Sequence, residues 1–564
     1  MKTKSILFTI VIITIAMAIG CKSSHKENMK QKLINFIKQH DSLTVKLSKE
    51  ANLASWNAAI SGKDEDYAKS EALSVKLTNV YANPASFATL KAIKESNKIK
   101  DKLLSRQLIV LYNAYLSAAV DTAKLNAVIK LQTNIEKKFS NFRTEIKGKK
   151  LSDNQIEEIL KTSVNSNELK ETWMTQKKIG DSVNKDIIKL VKMRNEIAKE
   201  LGFDNYHNMS LQLSEQDPKE IESLFDELDS LTRGTFADLK NEMDDYFAKR
   251  YKISKTDLMP WHYQNRFFQE APKLYAVDLD KYYAKTNLDK ITTDYYKGIG
   301  LPIDDMIKNS DLYEKPGKNQ HAFCTDIDNE GDVRVLCNIK PNQQWMGTML
   351  HEFGHASYDK FIDRGLPFSL REPAHTFTTE AIAMFFGRLS SNPEWLKTMI
   401  GITEAEKVKI AEDCYKTLRL EQMVFSRWAQ VVYRFEKAMY ANPDQDLNKL
   451  WWDLVEKYQM LKKPTDRNAP DWATKIHIAI YPCYYHNYLL GELLASQFSY
   501  YVTEKVIKAS DLKTQSFTVN PEIGKFFTEK VFIPGKSLYW NDMIEQATGE
   551  KLTAKYYAKQ FVTK

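Results

Sequence analysis

Glycine and proline are scarce in this chain, at 19 and 16 of 564 residues. Each is about 3%, against usual frequencies of about 7% and 5%. Folds built from many short strands need those residues at their turns, so sandwiches and barrels are disfavoured and a mostly helical body is expected. The spacing of apolar residues agrees. Leu33, Phe36, Ile37, His40 and Leu47 recur at helical intervals, and similar stretches continue to about residue 250. One helix start is well marked: Asp217 can cap, Pro218 suits the first position and Glu220 follows, ahead of Ile221, Leu224, Phe225 and Leu228 on one face. Breaks near residues 147–150 and 298–302 read as loops, no repeat of fixed period is found, and strand is expected only around 320–340.

The first segment reads as an address. Lys2 and Lys4 precede an apolar run over residues 6–19, too short for a comfortable membrane span, and Gly20-Cys21 follows at once. Ala18-Ile19-Gly20-Cys21 resembles a bacterial lipobox. The expectation is a signal peptide over 1–20, a lipid on Cys21, a polar tether to about residue 30, and a body over 31–564. Such a chain is exported and held to a membrane, facing the periplasm or on the outer membrane, by its lipid alone. Apolar residues at 43% and charged residues at 27% suit a soluble body. The net charge of +8 is spread with no run of five Lys or Arg, which gives nucleic acid no evident footing.

An exported compartment permits disulfides. Residues 320–328 and 333–340 read as two strands around the turn Asn329-Glu330-Gly331-Asp332. In the register that turn sets, Cys324 faces Cys337, and a cross-strand bridge is expected. For Cys414 and Cys483 the sequence offers no geometry.

Directly after this hairpin comes His351-Glu352-Phe353-Gly354-His355. On a helix the two histidines lie on one face and can reach one Zn²⁺, with the Glu352 carboxylate beside the metal. Trp345, Met349 and Phe353 form an opposite, apolar face. A catalytic zinc takes three protein ligands and keeps one position open. Tyr358 and Phe361 occupy the positions where a metzincin would need Gly and His, so the third ligand must come from another segment. Glu380 sits in an apolar helical run, where an unpaired carboxylate is costly unless it binds metal. Asp359, Asp363 and Glu372 lie in polar, loop-like sequence and are poorer candidates.

With these residues in place the chain resembles the angiotensin-converting-enzyme-like peptidyl-dipeptidases. The likeness includes Leu366-Pro367-Phe368-Ser369-Leu370-Arg371-Glu372 leading into Glu380-Ala381-Ile382, then Trp451-Trp452-Asp453-Leu454-Val455-Glu456-Lys457-Tyr458-Gln459, Lys475-Ile476-His477-Ile478 and His321-Ala322. The resemblance implies an all-α, two-lobed fold around a deep channel, one zinc held by His351, His355 and Glu380, and release of C-terminal dipeptides from peptide substrates. It implies Glu352 as general base and then general acid, and His477 and Tyr488 as donors to the developing oxyanion. His321 and Ala322 would hold the peptide as an added strand, and Lys475 and Tyr485 would bind its terminal carboxylate.

Departures matter as well. Met384 stands where the family carries an Asp that supports the zinc histidines, so that support must come from elsewhere. Asn487 and Val455 replace two chloride-site arginines, so chloride is not expected to be required. The family's carboxylate-binding Gln has no clear counterpart, since Trp261-His262-Tyr263-Gln264 is out of register by one. Two competing readings are a thimet-oligopeptidase-like endopeptidase, whose Gly-rich substrate loop is missing from residues 478–485, and a non-catalytic peptide-binding lipoprotein.

Overall fold

The structure is a computed structural model that describes residues 28–562 apart from residue 276. Residues 1–20, where a signal peptide is expected, and Cys21 lie outside the described residues. Helix dominates, and the sheets among the described residues are two antiparallel two-stranded hairpins. The longest helices are Met29–Ser61, Pro218–Tyr251 and Glu404–Ala441. Asp217 caps the second as its sequence implies, accepting the N–H groups of Lys219 and Glu220, while Ile221, Leu224, Phe225 and Leu228 are buried. Thr403 and Glu406 form a reciprocal capping box at the start of the third. No single helix among the described residues is long and apolar enough to cross a membrane.

One large apolar core extends from Val128 to Phe561 and takes in both helices that carry the candidate metal ligands. The helices Met29–Ser61, Pro84–Glu95 and Lys102–Ala118 close instead on a small core of Leu33, Leu90, Ile93, Leu108, Leu111 and Tyr115. Trp56 and Ala59, further along the first helix, pack with Ile327 and Leu336 of the hairpin beside the site.

The hairpins correct two expectations. Strands β1 (Thr144–Ile146) and β2 (Lys149–Leu151) form where a loop was expected. Lys147 and Gly148, both at positive φ, make the two-residue turn that joins them. Strands β3 (Phe323–Asp326) and β4 (Val333–Leu336) are shorter than expected and pair with Cys324 opposite Val335. Cys324 and Cys337 therefore do not face each other, and both are free thiols. The cause is local. Asp326 Oδ1 accepts the N–H groups of Asp328 and Asn329, Asp328 Oδ1 accepts those of Glu330 and Asp332, and the Ile327 N–H closes the loop onto the Asp332 carbonyl at 2.9 Å. These carboxylates draw the turn one residue toward the N-terminus, which moves every cross-strand partner by two. Thiol titration in non-reducing denaturant is expected to count Cys324, Cys337, Cys414 and Cys483 all as free; loss of two would restore a bridge.

Candidate active site

Helix Gln343–Phe361 starts at Asn342, whose side chain accepts the Trp345 N–H at 2.9 Å. Met346, Met349, Leu350 and Phe353 are fully buried, Trp345 is half-buried, and His351 and His355 keep some exposure on the other side. A second helix, Thr376–Gly387, starts at His375, whose ring accepts the Phe377 N–H and reaches the Ser214 carbonyl at 2.9 Å. Close packing aims Glu380 at the histidines. A β-carbon on Gly354 would stand 2.9 Å from the Ala383 Cα, so only glycine lets these two helices approach so nearly. Packing is also tight on the far side, where a β-carbon on Gly491, in helix His486–Tyr501, would lie 3.2 Å from the Glu380 Cβ.

Glu380 Oε2 lies 3.6 Å from His351 Nε2 and 3.8 Å from His355 Nε2, and one ligand atom from each of the three falls within 4.8 Å of the others. Nitrogen and oxygen ligands about 2.0–2.2 Å from a tetrahedral zinc stand about 3.3 Å from one another, so a small closure would seat the ion. The electrostatics suit a cation. Burial lowers His351 to about 4 and takes His355 well below its usual value, so both rings are neutral with lone pairs available. Burial, and then the Glu492 carboxylate, raises Glu380 to about 7, and no Lys or Arg among the described residues pairs with it. Two neutral imidazoles and an uncompensated buried carboxylate fit a divalent metal ion.

Support for the histidines comes from Thr379, whose Oγ1 is 2.7 Å from His355 Nδ1. The hydroxyl one residue before Glu380 thus serves where Met384 cannot. Glu352, 8% exposed, accepts the backbone N–H of Cys324. Burial, and then Glu380, raises its carboxyl to about 8, and a bound cation would act against both effects.

Downstream residues extend the site in a continuous line. Tyr488 feels the Glu380 charge, and its ring centroid is 5.4 Å from that of Tyr485. Tyr485 lies 5.3 Å from the His477 ring and 5.3 Å from Lys475 Nζ. Burial, and then Lys475, lowers His477 to about 4, and its Nδ1 is buried without a protein partner. Lys475, 6% exposed, donates to Gln269 Oε1 at 2.6 Å. Gln269 thus stands beside Lys475, where the sequence offers no glutamine by motif. Gln264, the nearer match by motif, is turned to the Lys161 carbonyl. A cavity of about 1150 Å³ opens beside this group; Gln269, Phe425 and Gln343 line it, while the three candidate ligands lie outside its lining.

His321 is exposed and Ala322 partly so, just ahead of β3. β3 pairs with β4 on one side, and the Asn52 amide covers its other edge only at Asp326 and Ile327. At residues 321–324 the His321 N–H is taken by Asn319 Oδ1 at 2.9 Å and the Cys324 N–H by Glu352. Asn487, beside Tyr488, accepts a hydrogen bond from Gln216 at 2.7 Å, and Val455 is buried.

A H-E-x-x-H helix joined by a glutamate from a second helix, within a helical body, is a metallopeptidase type of site. The chain belongs to the angiotensin-converting enzyme family of peptidases, whose family model matches residues 27–561. It is 23% identical over 430 residues to the angiotensin-converting enzyme of Mesocricetus auratus, covering 70% of this chain and 32% of that one. The corresponding enzyme of Mus musculus is 22% identical over 423 residues, with the same coverage. Carboxypeptidase 1 of Bacillus subtilis (strain 168) is 28% identical over 258 residues, 42% of this chain and 50% of that one. The chain thus spans about a third of the length of the angiotensin-converting enzymes it matches.

Proposed function

We propose that this chain is a zinc peptidase that releases dipeptides from the free C-termini of peptides. The observation that carries the reading is the buried Lys475 ammonium, hydrogen-bonded to Gln269 beside Tyr485 and joined through Tyr485 and Tyr488 to the Glu380 end of the site. An ammonium, an amide and a phenol in one closed place suit a carboxylate. The family assignment and the carboxypeptidase relative support the same terminus.

His351, His355 and Glu380 would hold the zinc, which when bound supplies Lewis-acid polarisation and lowers the pKa of water. Glu352 takes a proton from water and returns it to the leaving amine, held for both tasks by the Cys324 N–H. His477 and Tyr488 donate toward the oxygen that gains charge, and the segment at His321 and Ala322 takes the peptide backbone as a strand. Chloride is not required in this reading. Swapping chloride for acetate at fixed ionic strength should change the rate less than about twofold, a modest effect against the kcat/KM differences read in variants. Several-fold activation would instead place an anion in the small void that Lys177, Trp451 and Val455 share. The chain would be held to its membrane through Cys21, and a Cys21→Ser chain should move to the soluble fraction at high salt, which screens any remaining electrostatic attraction.

Lys475→Ala is expected to lower kcat/KM on free-acid peptides about 10- to 150-fold, the worth of one charge-assisted hydrogen bond. Amidated peptides should lose little. Burial, and then Arg266, lowers Lys475 to about 8, so the cation is present below that pH and lost above it. The kcat/KM for free-acid peptides should therefore fall as pH rises through about 8, with no such limb for amides. An unchanged acid-over-amide preference in Lys475→Ala would remove the anchor. Thr379→Val should weaken zinc binding about 10- to 100-fold in chelator competition; unchanged affinity would leave His355 supported by other groups.

A further inference from the structure

Charge is divided unevenly along this chain. Residues 28–150 hold 22 Lys and Arg against 11 Asp and Glu, a net of +11, while residues 151–564 hold 55 against 61, a net of −6. Part of the excess lies where helix Pro84–Glu95 runs into helix Lys102–Ala118. Lys91, Lys94, Lys98, Lys100 and Lys102 are all exposed there. The two acids among them are partly engaged, Glu95 with Lys91 and Asp101 in capping Leu104. Lys98, Lys100 and Lys102 form no ion pair among the described residues. Apolar residues are interleaved: Ile99 is partly exposed and Leu103 is 40% exposed.

We infer that this lysine cluster is a docking surface for anionic lipid headgroups, and that the N-terminal helices lie against the membrane that anchors the chain. The inference rests on the Cys21 reading for which surface is near. Ile99, at the centre of the cluster, packs into the same small core as Met29, the first helical residue described. The seven residue steps from Cys21 to Asn28 reach at most about 25 Å, so a lipid on Cys21 brings this unit to the headgroups. Exposed lysines with interleaved apolar side chains suit such a surface, where attraction falls off within a Debye length of about 8 Å. A polyanion would meet the same charge, but nothing brings one to this end of the molecule.

The test uses the full chain from residue 21 with Cys21→Ser, which carries no lipid, in flotation with vesicles of phosphatidylcholine alone or mixed with phosphatidylglycerol. The chain should bind only the phosphatidylglycerol vesicles, and less as salt rises. Each lysine near an anionic surface is worth about fivefold in partitioning, so Lys98→Glu, Lys100→Glu and Lys102→Glu together should lower binding about 100-fold. Lys457→Glu, Lys505→Glu and Lys530→Glu, exposed elsewhere, should leave it within about twofold, since charges beyond a Debye length are screened. Circular dichroism checks folding, and Lys100→Glu alone should still cost about fivefold. Equal binding to both vesicles, full binding by the triple variant, or binding to heparin but not to vesicles would overturn the inference. Labelling of Cys21 with fatty acid tests the anchor separately: an unlabelled chain that still binds anionic vesicles removes the anchor and keeps the surface.

Discussion

A Glu352→Gln chain is expected to keep its zinc and to lose peptide hydrolysis by about 10³-fold or more. Glu352 is 8% exposed and accepts the Cys324 N–H. The amide that replaces it has the same shape and an oxygen that can accept the same bond, so packing and the metal ligands should be undisturbed. What the amide cannot do is take a proton from water and pass it on. A positioned acid or base is worth about 10²- to 10⁴-fold, and here one group is asked to act in both directions. The measurement is zinc content together with kcat/KM on one free-acid peptide. Full zinc with activity within tenfold of the unaltered chain would mean that Glu352 is not the base, and would favour a peptide-binding role for the site.

Glu380→Ala is expected to lose both metal and activity. The carboxylate lies between two histidines that burial keeps neutral, and it has no Lys or Arg partner among the described residues. Without it the site offers two imidazoles, too few for a zinc that takes three protein ligands. Dialysed protein should hold less than about a tenth of an equivalent of zinc, and activity should fall with it, as expected when metal affinity is tied to ligand count. Full occupancy in this variant would assign the third ligand to another side chain.

What the sequence discloses about this molecule follows from how local each cause is. The cap at Asp217 is written in adjacent residues and forms as read. His351 and His355 declare themselves by spacing, and Glu380 by its apolar setting, because each signal lies within one helix. The register of β3 and β4 was misread because two carboxylates in the turn, Asp326 and Asp328, outweigh the symmetric placement suggested by Asn329 to Asp332. The hairpin of β1 and β2 was missed because its strands are three residues each, too short to show a period around the Lys147-Gly148 turn. Gln269 was not legible either. It lies in irregular chain with no periodicity, and what fixes its role is a contact with Lys475, 206 residues further on. Thr379 carried a weak signal, a hydroxyl beside the candidate third ligand, which gains meaning only once its distance to His355 is known.

The central claim is that peptides are cut two residues from a free C-terminus, and the masses of the products test it most directly. One peptide, as free acid and as amide, would be incubated with the zinc-loaded chain and the first products read by mass spectrometry. The free acid should yield its C-terminal dipeptide first, and the amide should be cut at least about tenfold more slowly, the least expected from losing one charge-assisted hydrogen bond. Internal fragments, single C-terminal residues, or equal cleavage of the two forms would contradict it.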